Sequence, residues 1–89
     1  MPLQRGEIRD YDFDRMTVNF TMQNRDKVIV CAISTAAMDG IENRRDVTSA
    51  ERLDQFMRLR EVIEARASRK FDEQGETDRP VVLRTNDFG

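Results

Sequence analysis

Residues 15–33 read RMTVNFTMQNRDKVIVCAI, and their patterning decides the fold. In the first half Met16, Val18, Phe20 and Met22 alternate with Thr17, Asn19, Thr21 and Gln23. A period of two sends the two sets to opposite faces, which predicts a half-buried antiparallel strand with one wet side. Asn24-Arg25-Asp26 supplies turn chemistry. The second half, KVIVCAI, is apolar on both faces and β-branched, so it predicts a more deeply buried strand. The close spacing makes the pair a β-hairpin. A one-residue slip would move Phe20 from core to solvent, so the register is well specified.

Downstream, Ser34 can cap a short helix, TAAMDGIE, that stops between Gly40 and Asn43. Arg44 to Val47 form a linker. Thr48 and Glu51 have capping-box spacing and open a long helix expected to run to about Phe71 or Asp72. Leu53, Phe56, Met57, Ile63, Ala67 and Phe71 recur at spacings near three and four, and Leu59 and Val62 widen that stripe. Glu73 to Asp78 form a polar loop, and Pro80 opens a last strand, VVLRT. Upstream, residues 1–14 read as a lead-in, loosely ordered over 1–9, with a short strand around Ile8. The expectation is one α+β domain over 1–89 in the order β-β-α-α-β. Its sheet is antiparallel, of about three strands, and packed by one long helix and one short one.

The 89 residues leave room for one domain. Charged residues make up 36%, nearly balanced at 15 positive against 17 negative. There is no His, and that absence removes the commonest general base and metal ligand, together with Ser-His-Asp and Cys-His nucleophile chemistry. A single Cys rules out an intramolecular disulfide and zinc sites built from Cys and His. It also fits a reducing compartment. No apolar run reaches the length of a membrane span, and the N-terminus has no signal-peptide pattern. The expectation is therefore a cytoplasmic protein without a membrane association, cofactor or metal. A domain of this size has a thin core, which suits a dimer that completes it.

Several residue sets invite a functional reading. Cys31, mid-strand between Val30 and Ala32, reads as a small buried hydrophobe rather than a reactive thiol. Asp10, Asp12 and Asp14 look like the opening of a calcium loop. Arg15 and Thr21 stand where that loop needs Gly and Glu, so a solvated edge is the better reading. Residues 44–72 hold eight positive and six negative charges, and the chain's pI is about 5.1. Nucleic-acid binding through Arg44, Arg45, Arg52, Arg58, Arg60, Arg66, Arg69 and Lys70 is thus the weaker reading. The aromatic and Met side chains fall on core faces rather than around a ligand. Arg84, Asp87 and Phe88 are the set retained as partner-binding candidates, against the plainer reading of a lock on the C-terminus.

Tyr11-Asp12, Val18 and Phe20, then Cys31-Ala32-Ile33-Ser34, the long capped helix and the closing Leu83-Arg84-Thr85-Asn86-Asp87-Phe88 together resemble a set of short bacterial proteins. They form the domain-of-unknown-function family number 1488, and the resemblance runs from Asp10 to Phe88. Two departures are visible: the family's hairpin turn usually carries Gly where this chain has Asn24, Arg25 and Asp26, and the loop after the first helix carries Arg44 and Arg45. The resemblance implies an α+β fold and a bacterial source, and it implies no activity and no catalytic residues. The functional expectation is a non-catalytic interaction or structural module with a protein partner or a second copy of itself. The alternative is a weak nucleic-acid-associated regulator using the arginines of the long helix.

Overall fold

The computed structural model describes residues 3–75 and 79–88. The chain forms a four-stranded sheet in the order β1-β2-β3-β4, with both helices on one side. Strand β1 spans Gln4–Asp12, β2 Thr17–Asn24, β3 Lys27–Ser34 and β4 Val81–Leu83. Helix α1 spans Thr35–Glu42 and α2 Arg52–Gln74. The fold is α+β, as the patterning implies. The expected hairpin is β2–β3, in continuous register from Thr17↔Ser34 to Asn24↔Lys27. Its two-residue loop holds Arg25 at φ 60°, while Asp26 stays at negative φ. A positive φ at the first loop residue is where hairpin turns normally place Gly, Asn or Asp.

Three features depart from the expectation. First, residues 4–9 belong to a full edge strand rather than a loose lead-in. Register shifts between Arg5 and Ile8 and between Ile8 and Asp10 bend β1 over β2. A Cβ on Gly6 would lie 2.4 Å from the Thr21 carbonyl oxygen, so only glycine allows this approach. The Thr21 hydroxyl accepts the Glu7 backbone N–H at 3.0 Å, and Thr17 and Thr21 are consequently buried on the face expected to be wet.

Second, β4 pairs parallel to β3, so the sheet is mixed rather than antiparallel. The 23 residues of α2 span about 35 Å, longer than the eight-residue β3 at about 27 Å. The helix therefore returns the chain to the starting end of β3, and a strand entering there must run parallel. Third, β3 is buried on one face only: Ile29, Cys31 and Ile33 point to the helices, while Val28 is 53% and Val30 58% exposed. Helices cover a single side of the sheet.

The core lies between that side and α2. Phe20 and Phe56 meet with ring centroids 4.9 Å apart, backed by Met22, Met38, Ile63, Val81 and Leu83. The buried stripe of α2 runs through Arg52, Gln55, Phe56, Ile63, Ala67, Ser68 and Phe71, with Leu59 half-buried. Leu53, Met57 and Val62, expected in the core, are exposed, as is Met16, which precedes β2 at φ 53°.

The predicted caps largely hold. The Ser34 hydroxyl accepts the Ala37 N–H at 3.1 Å. Asn43 closes α1 in the left-handed region, and Arg44 N–H reaches back to the Asp39 carbonyl at 3.0 Å. The Glu51 carboxylate accepts the Thr48 N–H at 3.1 Å, ahead of a 3₁₀ turn over Ser49–Glu51 that leads into α2. Gly75 ends α2 at φ 77°. Of the polar loop expected over 73–78, Glu73 and Gln74 belong to α2, and 76–78 lie outside the described residues.

Candidate functional site

The chain's arginines serve two different purposes on the two sides of the sheet. On the helix side they fasten α2 to α1, to β1 and to the C-terminal segment. Arg52 donates to Asp39 at 2.6 Å and to Gln55 at 2.8 Å. Gln55, fully buried, donates to Asp39 at 3.1 Å and Glu42 at 3.2 Å, and Arg58 forks onto Glu42 at 2.9 and 3.0 Å. This cluster ties α2 to α1. Burial pushes the Asp39 carboxyl up, but the hydrogen bonds from Arg52 and Gln55 outweigh it and hold it below the usual carboxylate range. The Arg58 hydrogen bond does the same for Glu42. Glu64 ties α2 to β1 by accepting from Arg5 at 2.9 Å and Arg60 at 2.9 Å, and Arg60 also donates to the Gly6 carbonyl at 3.2 Å.

The third fastening holds the C-terminus. Asp87 accepts the Arg84 backbone N–H at 2.7 Å, Lys70 at 3.0 Å and Arg66 at 3.4 Å. Lys70 also donates to the Val82 carbonyl at 2.6 Å. Burial raises the Asp87 carboxyl, and the Arg84 N–H and Lys70 more than offset it. Phe88 packs against the core. Of the three candidates retained from the tail, Asp87 and Phe88 thus face into the molecule. The Arg84 side chain alone stays exposed, on the opposite side of the sheet.

On that opposite side the sheet is uncovered. An open groove of about 990 Å³ crosses all four strands there. One row of the ladder runs Asp10–Asn19–Ala32–Val82 straight across the sheet, with Thr17 and Val30 on neighbouring rows. The face is polar over β1 and β2 and aliphatic over β3 and β4. Arg9, Arg15 and Arg84 line it, and none makes an ion pair among the described residues. Asp10, the carboxylate in the groove, accepts from the Asn19 amide at 3.1 Å. Asp12 instead closes its own turn by accepting the N–H groups of Asp14 and Arg15 at 3.0 and 3.2 Å. The three aspartates therefore do not converge, and no cluster of three metal-ligating side chains occurs among the described residues.

Cys31 lies beneath the groove floor with its thiol toward the helices, fully buried and donating to the Ile29 carbonyl at 3.6 Å. Burial pushes the thiol up to about 12, the reverse of what a nucleophile needs. No described helix is long and apolar enough to cross a membrane.

Sequence reasoning singled out Arg84 but passed over Arg9 and Arg15, because no periodicity joins a strand, a loop and a distant strand end. It also counted Arg52 among the solvated cations of the long helix and passed over Gln55. Their signal was present, since positions 52, 55, 56, 59, 63 and 67 keep the helical period. Leu53 and Met57 drew the stripe about one residue out of phase.

Comparison with known proteins bears on the family. The sequence model of the family described as protein of unknown function (DUF1488) matches residues 5–83. A solved structure of a protein of unknown function from the same family, from Shewanella loihica PV-4, superposes with a TM-score of 0.74 at 23% identity, covering 91% of this chain and 90% of that one. No curated protein matches. The chain belongs to the DUF1488 family.

Proposed function

We propose that this member of the DUF1488 family is a non-catalytic interaction module of the bacterial cytoplasm that binds a protein partner through the open face of its sheet. The observation that carries the reading is β3. Its sequence is apolar on both faces, yet the chain's own helices cover only one, leaving Val28 and Val30 exposed, with Val30 in a groove lined by three arginines that make no ion pair among the described residues. Strands that are apolar on both faces belong to sheets covered on both sides. The engagement of Arg52, Arg58, Arg60, Arg66 and Lys70 in intramolecular ion pairs favours this reading over nucleic-acid binding by the long helix.

Site-specific photo-crosslinking in cells tests it. A photoreactive residue replacing Val30 is expected to give a discrete protein adduct, and the same residue replacing Glu61, exposed on α2, is expected to give none. No adduct from position 30, or equal yields from both, overturns the reading.

A further inference from the structure

We propose that the open face takes an extended acidic segment of a partner protein, with two carboxylates four residues apart seated on Arg9 and Arg84. This rests on the reading of that face as the binding surface and adds the chemistry of the occupant. The chain as a whole carries a net charge of −2, and on the helix side Arg52, Arg58, Arg60, Arg66 and Lys70 are matched to carboxylates, with Arg69 the α2 cation that makes no ion pair among the described residues. The groove departs from that balance, with three arginines against one carboxylate already engaged by Asn19. Arginine forks match carboxylates in a bidentate fashion, so an unpaired set around a shallow groove selects an anionic partner.

The geometry narrows the anion. Arg9 belongs to β1 and Arg84 directly follows β4, the two outer strands. Three ladder spacings separate those strands, about 14 Å, and the register offsets Arg84 from Arg9 by about three residues, about 10 Å along the strands, so their Cα atoms stand about 17 Å apart. An extended chain advances about 3.3 Å per residue, so side chains at i and i+4 stand about 13 Å apart and share a face, and the two long arginine side chains that line the groove span the remaining distance of about 4 Å. The residue between them, at i+2, then lies over the aliphatic floor formed by Val30, Ala32 and Val82. Single-stranded nucleic acid fits less well, because such sites stack bases on aromatic rings and no aromatic side chain lines this groove. A second copy docked face to face about a two-fold axis would bring one set of arginines against the other.

The test is selection of a random-peptide display library on the immobilised full-length chain. Selected peptides are then titrated by fluorescence anisotropy beside an oligothymidylate of equal charge. The expected result is enrichment of Asp or Glu pairs four apart around an aliphatic residue. Affinity should fall about tenfold for Arg9→Gln and again for Arg84→Gln, the loss of one charge-assisted pair each. It should not change for Arg45→Gln, an exposed arginine outside the groove. All three positions are exposed, and unchanged circular dichroism separates lost binding from lost folding. Neutral or basic selected peptides, no enrichment, or tighter arginine-dependent binding of oligothymidylate overturns the proposal. So does an adduct of doubled mass from position 30, which would assign the face to a second copy. A persistent heteromeric adduct at position 30 with no acidic enrichment leaves the face as the binding surface and removes the acidic segment.

Discussion

Neighbouring residues of β3 show the contrast between the two faces of the sheet. Cys31 meets the helices and is sealed from water, while Val30 on the other face is more than half exposed. Arginine follows the same division: Arg52, Arg58, Arg60 and Arg66 on α2 are matched to carboxylates and hold elements together, whereas Arg9, Arg15 and Arg84 on the open face make no ion pair among the described residues. Charge on this protein thus does two jobs that composition alone cannot separate.

The contrast can be broken most severely at the core. Phe20→Ala is expected to cost about 3–5 kcal/mol in urea unfolding, against no more than about 0.5 kcal/mol for Val30→Ala. Comparable losses would mean that the open face contributes to folding after all. Gly6→Ala follows at about 2–3 kcal/mol, because its new Cβ meets Thr21 backbone and β1 must lift from β2. A neutral result would show that the edge strand shifts freely.

Asp39→Asn strands the buried Arg52, whose Nε already lacks a partner, and should cost roughly 2 kcal/mol. Arg84→Gln should stay within about 0.5 kcal/mol. The same pairs set the acid limb. The carboxyls of Asp39, Glu42 and Asp87 sit lower in the folded chain than their ordinary values of 3.8 and 4.5. Their stabilisation is complete above those values and is lost as pH falls through the folded ones. Stability should therefore decline below about pH 4.5, and less steeply in Asp39→Asn. An unchanged acid limb would show that the pair is dispensable.

A smaller change of opposite sign is expected in the hairpin. Arg25→Gly should add about 0.5–1 kcal/mol by relieving the left-handed backbone. A loss there would mean that the Arg25 side chain has a role of its own. The mildest probe leaves energy alone: Cys31 should resist a thiol reagent until the chain unfolds, whereas a Val30→Cys thiol should react at once. Fast labelling of native Cys31 would erase the division between the faces.

Much of the fold was legible because short-range rules governed it. The β2–β3 register, the Ser34 cap, the Asn43 stop and the existence of α2 follow from periodicity and from backbone groups needing nearby partners. The docking of the tail through Asp87 and Phe88 was legible as the plainer of two readings. The candidate site was not, since Arg84 is far from Arg9 and Arg15 in sequence and shares a groove with them only across the finished sheet.

The sequence by itself determined the alternation of β2, the length of α2, the absence of histidine chemistry and a chain of balanced charge. Tertiary structure decided the rest. It turned β4 parallel, because one long helix carries the chain back past the sheet. It buried Arg52 and Gln55 in place of Leu53 and Met57, because carboxylates on α1 wait at that end of the helix. It also left half of an apolar strand in water, because two helices on one side of a sheet cannot cover the other.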